Sequence, residues 1–396
     1  MAAHVEKKSL FTLNKDIPAY PFIILGLILL AIGGIAVLQV LLKGHEAVYG
    51  VTREVPWGLL IATYAYFVIT STGLAFIGGL GHAFGYEKYA KMSRRIVVMA
   101  FVILLAGFTQ IGMEIGHPIR LMIYLILSPN LRAPIVWMGV FYSIELVILA
   151  IELYMVFNPD KVSHSASAVV GFFALLVGTV ATSNLGYVFG SLNARPFYHG
   201  IYFSTFLVIS GITAGAAMLM LIHNIVYKGR IPSDLEDSMT ALGKLMGLGI
   251  GLMIFLYFWK IMSSLYTEPK GAYEAVLAML KGPLSVNFWI GEVGLAVVLP
   301  LLIIVFTKAR NMKALGFAGF IYMIGLFFTR FDFIVAGQLP PMRAGYEGSG
   351  VHTTISGLAH YSPSAGEWMI FALGWGVFLF LYFAAEKYLN LETEHH

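Results

Sequence analysis

Apolar residues fill this chain in ten long runs, at 18–42, 57–84, 94–114, 133–157, 166–189, 200–227, 243–265, 287–306, 313–338 and 366–389. Each run reaches the roughly 20 residues that a helix needs to cross about 30 Å of hydrocarbon. Backbone groups in lipid must find their hydrogen bonds within the segment, so the runs are predicted to be helices. The expected fold class is an all-α integral membrane protein with about ten transmembrane helices. Composition agrees: 59% of the residues are hydrophobic and 12% charged, about half the charged share of a soluble domain.

Charge orients the runs. With a cytoplasmic N-terminus, fifteen of the 25 Lys and Arg fall on inner segments and eight on outer ones, with Lys260 and Arg330 inside runs. This bias predicts that both termini lie inside, in the cytoplasmic membrane of a prokaryote. The isoelectric point near 9.0 follows from that basic rim, which suits membrane lipid, and no nucleic-acid partner is needed to explain it. Residues 1–17 are basic, but the run after them is too long for a signal-peptide core and lacks a small-residue cleavage site, so an uncleaved first helix is expected. Cysteine is absent. The chain therefore holds no disulfide or cysteine-ligated iron–sulfur cluster, and any such cluster belongs to a partner.

Repetition suggests how the helices group. FVITSTG (67–73) and LVISGIT (207–213) lie 140 residues apart on runs of the same direction. Two four-helix bundles are expected, 57–189 and 200–338. They are flanked by an N-terminal segment with the first helix (1–56) and by an outer loop, the tenth helix and a tail (339–396). The outer loop 339–365 reads either as a lid over the bundle mouth or as a plain connection. AYEAVLAML, within 268–286, reads as a short interfacial or re-entrant helix. Asp234, Glu236 and Asp237 sit in the inner connection 228–242.

The candidate chemistry lies in charges that interrupt the apolar pattern. A charge near the centre of a membrane helix costs roughly 2.5–3.5 kcal/mol on insertion scales, which makes intramembrane ions candidates for function. Glu114, Lys260, Glu292, Arg330 and Asp332 fall toward the outer ends of their runs, at a level suited to a small polar headgroup. In QIGMEIGHPIR (110–120), Glu114, His117 and Arg120 share one face if the helix continues to Pro118, although that proline argues for a stop. The group reads either as an interfacial cap or as a proton-accepting carboxylate–histidine pair. Arg330 and Asp332, two residues apart, point to different faces, so each needs a partner from another run; Glu292 and Lys260 are expected to complete a charged network. Glu145 and Glu152, seven apart, step inward on one face as a candidate proton path, unless Glu152 reaches the inner rim. Trp57, Tyr64, Tyr142 and Asn184 are polar or amphipathic residues in outer halves. His82 and His223 are formal candidates for haem ligation, and no metal-ligating cluster stands out.

PWGLLIATYAYFVITSTG (56–73), QIGMEIGHPIR (110–120), SNLGYVFGSLNARPFYH (183–199), NFWIGEVGLAVVLPL (287–301), TRFDFIVAGQ (329–338) and YSPSAGEW (361–368) together resemble the NrfD/PsrC family of quinone-interacting respiratory membrane subunits, in its ten-span, DsrP/HybB-like branch. The resemblance implies a haem-free subunit that exchanges electrons between menaquinone or ubiquinone and a ferredoxin-like iron–sulfur subunit on the extracytoplasmic face, among other subunits of a respiratory complex. It also implies a quinone pocket near that face in the first bundle. Members usually carry Asp, then Gly, Arg or His, and Pro at the end of the third helix; here Glu114 replaces the Asp, while Gly116, His117 and Pro118 fit. Quinol oxidation releases protons with its electrons, so a basic group near one hydroxyl and a hydrogen-bonding group near the other are required. Glu114 and His117 are expected to take protons, and Trp57, Tyr64, Tyr142 and Asn184 to line the ring. An ion-coupled transporter built on the second-bundle charges and a b-type cytochrome anchor are the competing readings.

Overall fold

The computed structural model describes residues 13–342 and 357–392. Among them, ten helices are long and apolar enough to cross a membrane: α1 (Ala19–Lys43), α2 (Leu59–Phe84), α3 (Ser93–Glu114), α4 (Pro134–Phe157), α5 (His164–Gly190), α6 (Tyr202–Val226), α7 (Glu236–Thr267), α8 (Asn287–Thr307), α9 (Met312–Ala336) and α10 (Ala365–Tyr388). No strand occurs among the described residues. The protein is an all-α, multi-pass membrane protein. Most of the outer connection 339–365, read either as a lid or as a plain connection, lies outside the described residues, as does most of the basic N-terminal segment.

Local structure refines the sequence reading at several points. Helix α7 begins at Glu236, seven residues before the expected start, because Glu236 and Asp237 occupy its first turn, where acidic side chains complement the helix dipole. The stop that Pro118 argues for is present: α3 ends at Glu114, Ile115 turns to extended backbone, and Pro118 is the first residue of a further helix, Pro118–Leu127. Proline is pre-organised for that position and lacks only an amide hydrogen that would be unpaired anyway. The first twelve residues of α8 form a π-helix, Asn287–Val298. The short helix expected within 268–286 is Ala272–Leu280, with five of its nine residues buried, so it is tucked against the chain rather than laid flat on a surface.

Packing centres on α2, which touches α3, α5, α6, α9 and α10 and is buried nearly all round. Helices α2–α5 pack as one group and α6–α9 as another, while α1 and α10 pair antiparallel beside α3. The two groups meet where α2 crosses α6. A Cβ on Gly73 would collide with the Gly211 carbonyl, and one on Gly215 would strike the Gly73 backbone. Lipid gives no hydrophobic drive for helix association, so such backbone-to-backbone approach supplies the dispersion contacts that replace it. Gly73 and Gly211 both belong to the repeated heptapeptides.

An ion pair clamps the inner ends. Arg95 on α3 donates to Glu386 on α10 at 2.6 and 3.3 Å, Tyr382 donates 2.6 Å to the same carboxylate, and Arg95 also donates to the Tyr227 hydroxyl at 3.2 Å. Arg95 is therefore no solvated rim residue. Nearby, Asn14 donates to the Glu386 and Leu389 carbonyls and Lys387 donates to the Asn14 carbonyl. Both ends of the described chain thus lie on one side, the inner side of the charge pattern.

The glycine crossing yields a paired expectation. Gly73→Ala forces the two groups apart and should cost about 1–3 kcal/mol, as overpacking does. Gly34→Ala, whose Cβ would meet nothing within 4 Å, should leave the melting temperature of the detergent-solubilised protein unchanged.

Candidate functional site

The outer end of α3 sits within a cluster that the segments on either side of it complete. Glu367, in the first turn of α10, accepts hydrogen bonds from the Gly50 amide at 2.8 Å, the Tyr361 hydroxyl at 2.6 Å and the Ser364 amide at 2.8 Å. The Ser364 hydroxyl oxygen in turn accepts from the Glu367 amide, a capping box that fixes the start of α10. The Tyr361 hydroxyl in turn accepts from the Leu59 amide at 2.7 Å, so α2 and α10 begin from one network. Tyr49 donates to the Met113 carbonyl at 2.8 Å, and His45 approaches the same oxygen at 3.1 Å.

Glu114 is the free group in this cluster. Its carboxylate lies close enough to Tyr49, Tyr361 and Glu367 for all four to interact electrostatically, yet none of the described residues donates a hydrogen bond to it. Burial, reinforced by Glu114 and Glu367, pushes the Tyr49 and Tyr361 hydroxyls above the usual tyrosine range, so both stay protonated donors. His117 is exposed at the residue before Pro118–Leu127, and its side chain makes no capping bond to that helix. The break at Ile115 means that Glu114, His117 and Arg120 do not line one helical face. Beyond it, Pro118–Leu127 has no buried residue, and an apolar helix of this kind belongs against lipid or another subunit.

The expected ring-lining residues divide between two levels. Trp57 lies near the outer cluster: its backbone is held by the Gln338 side chain at 3.0 and 2.8 Å, and its indole meets Phe189 edge-on. Asn184 donates to the Pro134 carbonyl at 3.0 Å and thereby ties α5 to the start of α4. Tyr64 and Tyr142 are buried deeper, ring to ring at 6.2 Å, with the Tyr142 hydroxyl 3.4 Å from Thr182.

Below them, α4 carries both acids inward. Glu145 is fully buried and accepts from Thr72 at 3.0 Å. Glu152 is buried 3.6 Å from His82 Nδ1 rather than snorkelling. The two face Gly178 and Gly171 of α5, seven residues apart like the acids themselves, and the missing side chains make room for the carboxylates. His82 also lines a polar cavity of about 290 Å³ at the inner end, together with Arg94, Ser163, His164 and Ser167. His223 turns elsewhere, its Nδ1 against the Leu219 carbonyl at 2.8 Å with Tyr227 alongside.

The second group of helices brings only some of its charges together. Lys260, Glu292, Arg330 and Asp332 lie four to seven residues from the outer ends of their helices, or about 6–10 Å deep at 1.5 Å per residue. Glu292 and Asp332 have adjoining carboxyl groups, with Tyr257 beside Glu292 and Asn287 donating to Asp332 at 3.2 Å. Lys260 forms an ion pair with neither. It donates to the Phe197 carbonyl at 2.6 Å and lies over the rings of Phe197, Tyr202 and Phe203. Arg330, fully buried, reaches the seam between the two groups, where it donates to Ser210 at 2.8 Å with Tyr66, Tyr142, Tyr322 and Glu292 around it.

The sequence reading missed Tyr49, Tyr361 and Glu367. Ser364-x-x-Glu367 is a legible capping box, but nothing local says that its carboxylate faces Glu114.

The arrangement is that of a polytopic membrane protein with carboxylates buried at several depths and one held unbonded at the outer helix ends. The profile of the family described as "Polysulphide reductase, NrfD" matches residues 47–341, and the chain belongs to that family. It is 21% identical over 376 residues to a selenate reductase subunit of Mesobacillus selenatarsenatis, covering 86% of this chain and 87% of that one. It is 25% identical over 354 residues to the Hdr-like menaquinol oxidoreductase integral membrane subunit of Archaeoglobus fulgidus, covering 87% of both.

Glu367 supports a stability prediction. Glu367→Ala leaves three donors without their acceptor and should cost on the order of 2 kcal/mol or more, read as a lower melting temperature. Tyr361→Phe removes one of those bonds together with the acceptor of the Leu59 amide, two bonds rather than three, and should cost less.

Proposed function

We propose that this chain is the quinone-reactive membrane subunit of a respiratory oxidoreductase complex in the cytoplasmic membrane of a prokaryote, with both termini inside. The observation that carries this reading is Glu114, half-buried and unbonded among the described residues, set beside Tyr49, Tyr361 and Glu367 at the outer helix ends of an NrfD-family chain. The Archaeoglobus relative is named as part of a menaquinol oxidoreductase, and that chemistry suits this cluster. A quinol that becomes a quinone gives up two protons and two electrons. Glu114 takes the two ring-hydroxyl protons in turn, and exposed His117 passes each to the outer solution. Tyr49 and Tyr361 hold the surroundings of Glu114 in place, while Trp57 and Asn184 brace the helix ends around it. The electrons leave to the iron–sulfur cluster of a partner subunit docked over the same face. A chain without cysteine supplies no thiolates for such a cluster.

Protons have a second route in this reading. The inner cavity opens on His82, His82 adjoins Glu152, and Glu145 lies about 10 Å further along α4 at 1.5 Å per residue. Tyr142 and Tyr64 continue the line toward the outer half. Proton transfer along it would link quinone turnover to charge movement across the membrane.

Two experiments test these parts separately. Glu114→Gln keeps the shape but removes the base, and general-base catalysis is worth about 10²–10⁴-fold. Quinol-linked electron transfer in the purified complex should fall at least tenfold with assembly intact; a parental rate would place the site elsewhere. Glu145→Gln, assayed in proteoliposomes with a membrane-potential dye, should preserve quinol oxidation while lowering the electrogenic signal. An unchanged signal would make Glu145 structural.

A further inference from the structure

A cavity with one carboxyl group in its lining lies between α6, α7 and α8, on helices other than the one that carries Glu114. Its volume is about 210 Å³. Phe206, Tyr257 and Phe288 wall it with their rings, Tyr257 nearly parallel to Phe288 at 6.1 Å. Ile254 and Phe258 form its rim and are 40% and 52% exposed, so it opens sideways toward lipid rather than to water. Glu292 is the charged group in its lining; it is 4% exposed, and its Oε1 accepts no hydrogen bond from the described residues. Glu292 rides on the π-helix, and π-helical turns are uncommon and gather at functional sites.

We infer that this cavity is a second binding site for a lipid-soluble quinol, its hydroxyl donating to Glu292 Oε1 and its ring held by the aromatic walls. The inference rests on the quinone reading above but adds a site that performs no electron transfer itself. The chemistry of the lining selects this occupant. A phospholipid headgroup carries a phosphate, which the adjoining Glu292 and Asp332 carboxyls repel, and no Lys or Arg lines the cavity. A hard cation needs six or more oxygen ligands, whereas these walls are otherwise almost wholly apolar. A neutral ring with a hydroxyl donor meets both demands.

The test uses the intact complex in native-lipid nanodiscs with an azido-quinone photolabel and peptide mapping. Labelling is expected both around Glu114 and within 253–261 or 288–297, and excess unlabelled quinol should suppress both. Ile254→Trp, which fills the cavity from its lipid-facing rim, should reduce the second label at least tenfold and spare the first. Label around Glu114 alone would overturn this inference and leave the proposed function standing. Label in the second cavity that resists competition would mark nonspecific partition and overturn it equally. Absence of label from both regions would remove the quinone reading as well.

Discussion

Close approach of α2 and α6 at Gly73 and Gly211 is the contact on which the arrangement depends. Inside a membrane, helices gain nothing from leaving lipid for one another unless their surfaces fit better than lipid does. Here the fit is backbone against backbone. It draws the two helix groups together tightly enough that Arg330 of α9, Ser210 of α6 and Tyr66 of α2 share one buried seam. It also makes α2 the common wall of both groups, so the start of α2 can be held from three directions. Tyr361 takes the Leu59 amide, Gln338 brackets Trp57, and Arg195 donates to carbonyls at Gln338 and Glu54.

Polar groups inside this protein differ in how fully they are bonded, and on the proposed function that difference separates scaffold from chemistry. Glu386 and Glu367 are saturated: one lies against Arg95 and Tyr382, the other receives three donors. Taking one partner from such a set strands the rest, which explains their place at the inner and outer joints. Glu145 has one donor, Glu292 keeps one oxygen open, and Glu114 has no donor among the described residues. On the proposed function, the open carboxylates are the ones that meet substrate or pass protons.

Much of the fold was legible from residue pattern because lipid imposes a single rule on every span. Glu145 and Glu152 were legible for the same reason, since a spacing of seven on an apolar helix puts both on one face. The outer cluster was not. Glu367 lies 253 positions from Glu114 along the chain, and its role depends on how the segment before α2 folds beneath the start of α10. Arg95 reads as a rim charge, because a basic residue at a helix start looks the same whether it faces water or Glu386. Lys260 shows the converse error: opposite charge at equal depth suggests pairing with Glu292 and Asp332, whereas the nearer Phe197 carbonyl and three rings hold it. The π-helix in α8 has no sequence signature, and it alters which residues of that span face inward.

On the proposed function, quinone chemistry takes place at the outer ends of α3 and α10. Its most direct test is a single-particle structure of the complex purified from native membranes with its endogenous quinone. Headgroup density is expected with a ring oxygen within hydrogen-bonding distance of Glu114, facing the iron–sulfur partner subunit across the outer surface. A headgroup bound instead at the inner cavity beside His82, with the outer cluster closed over Glu114, would contradict it.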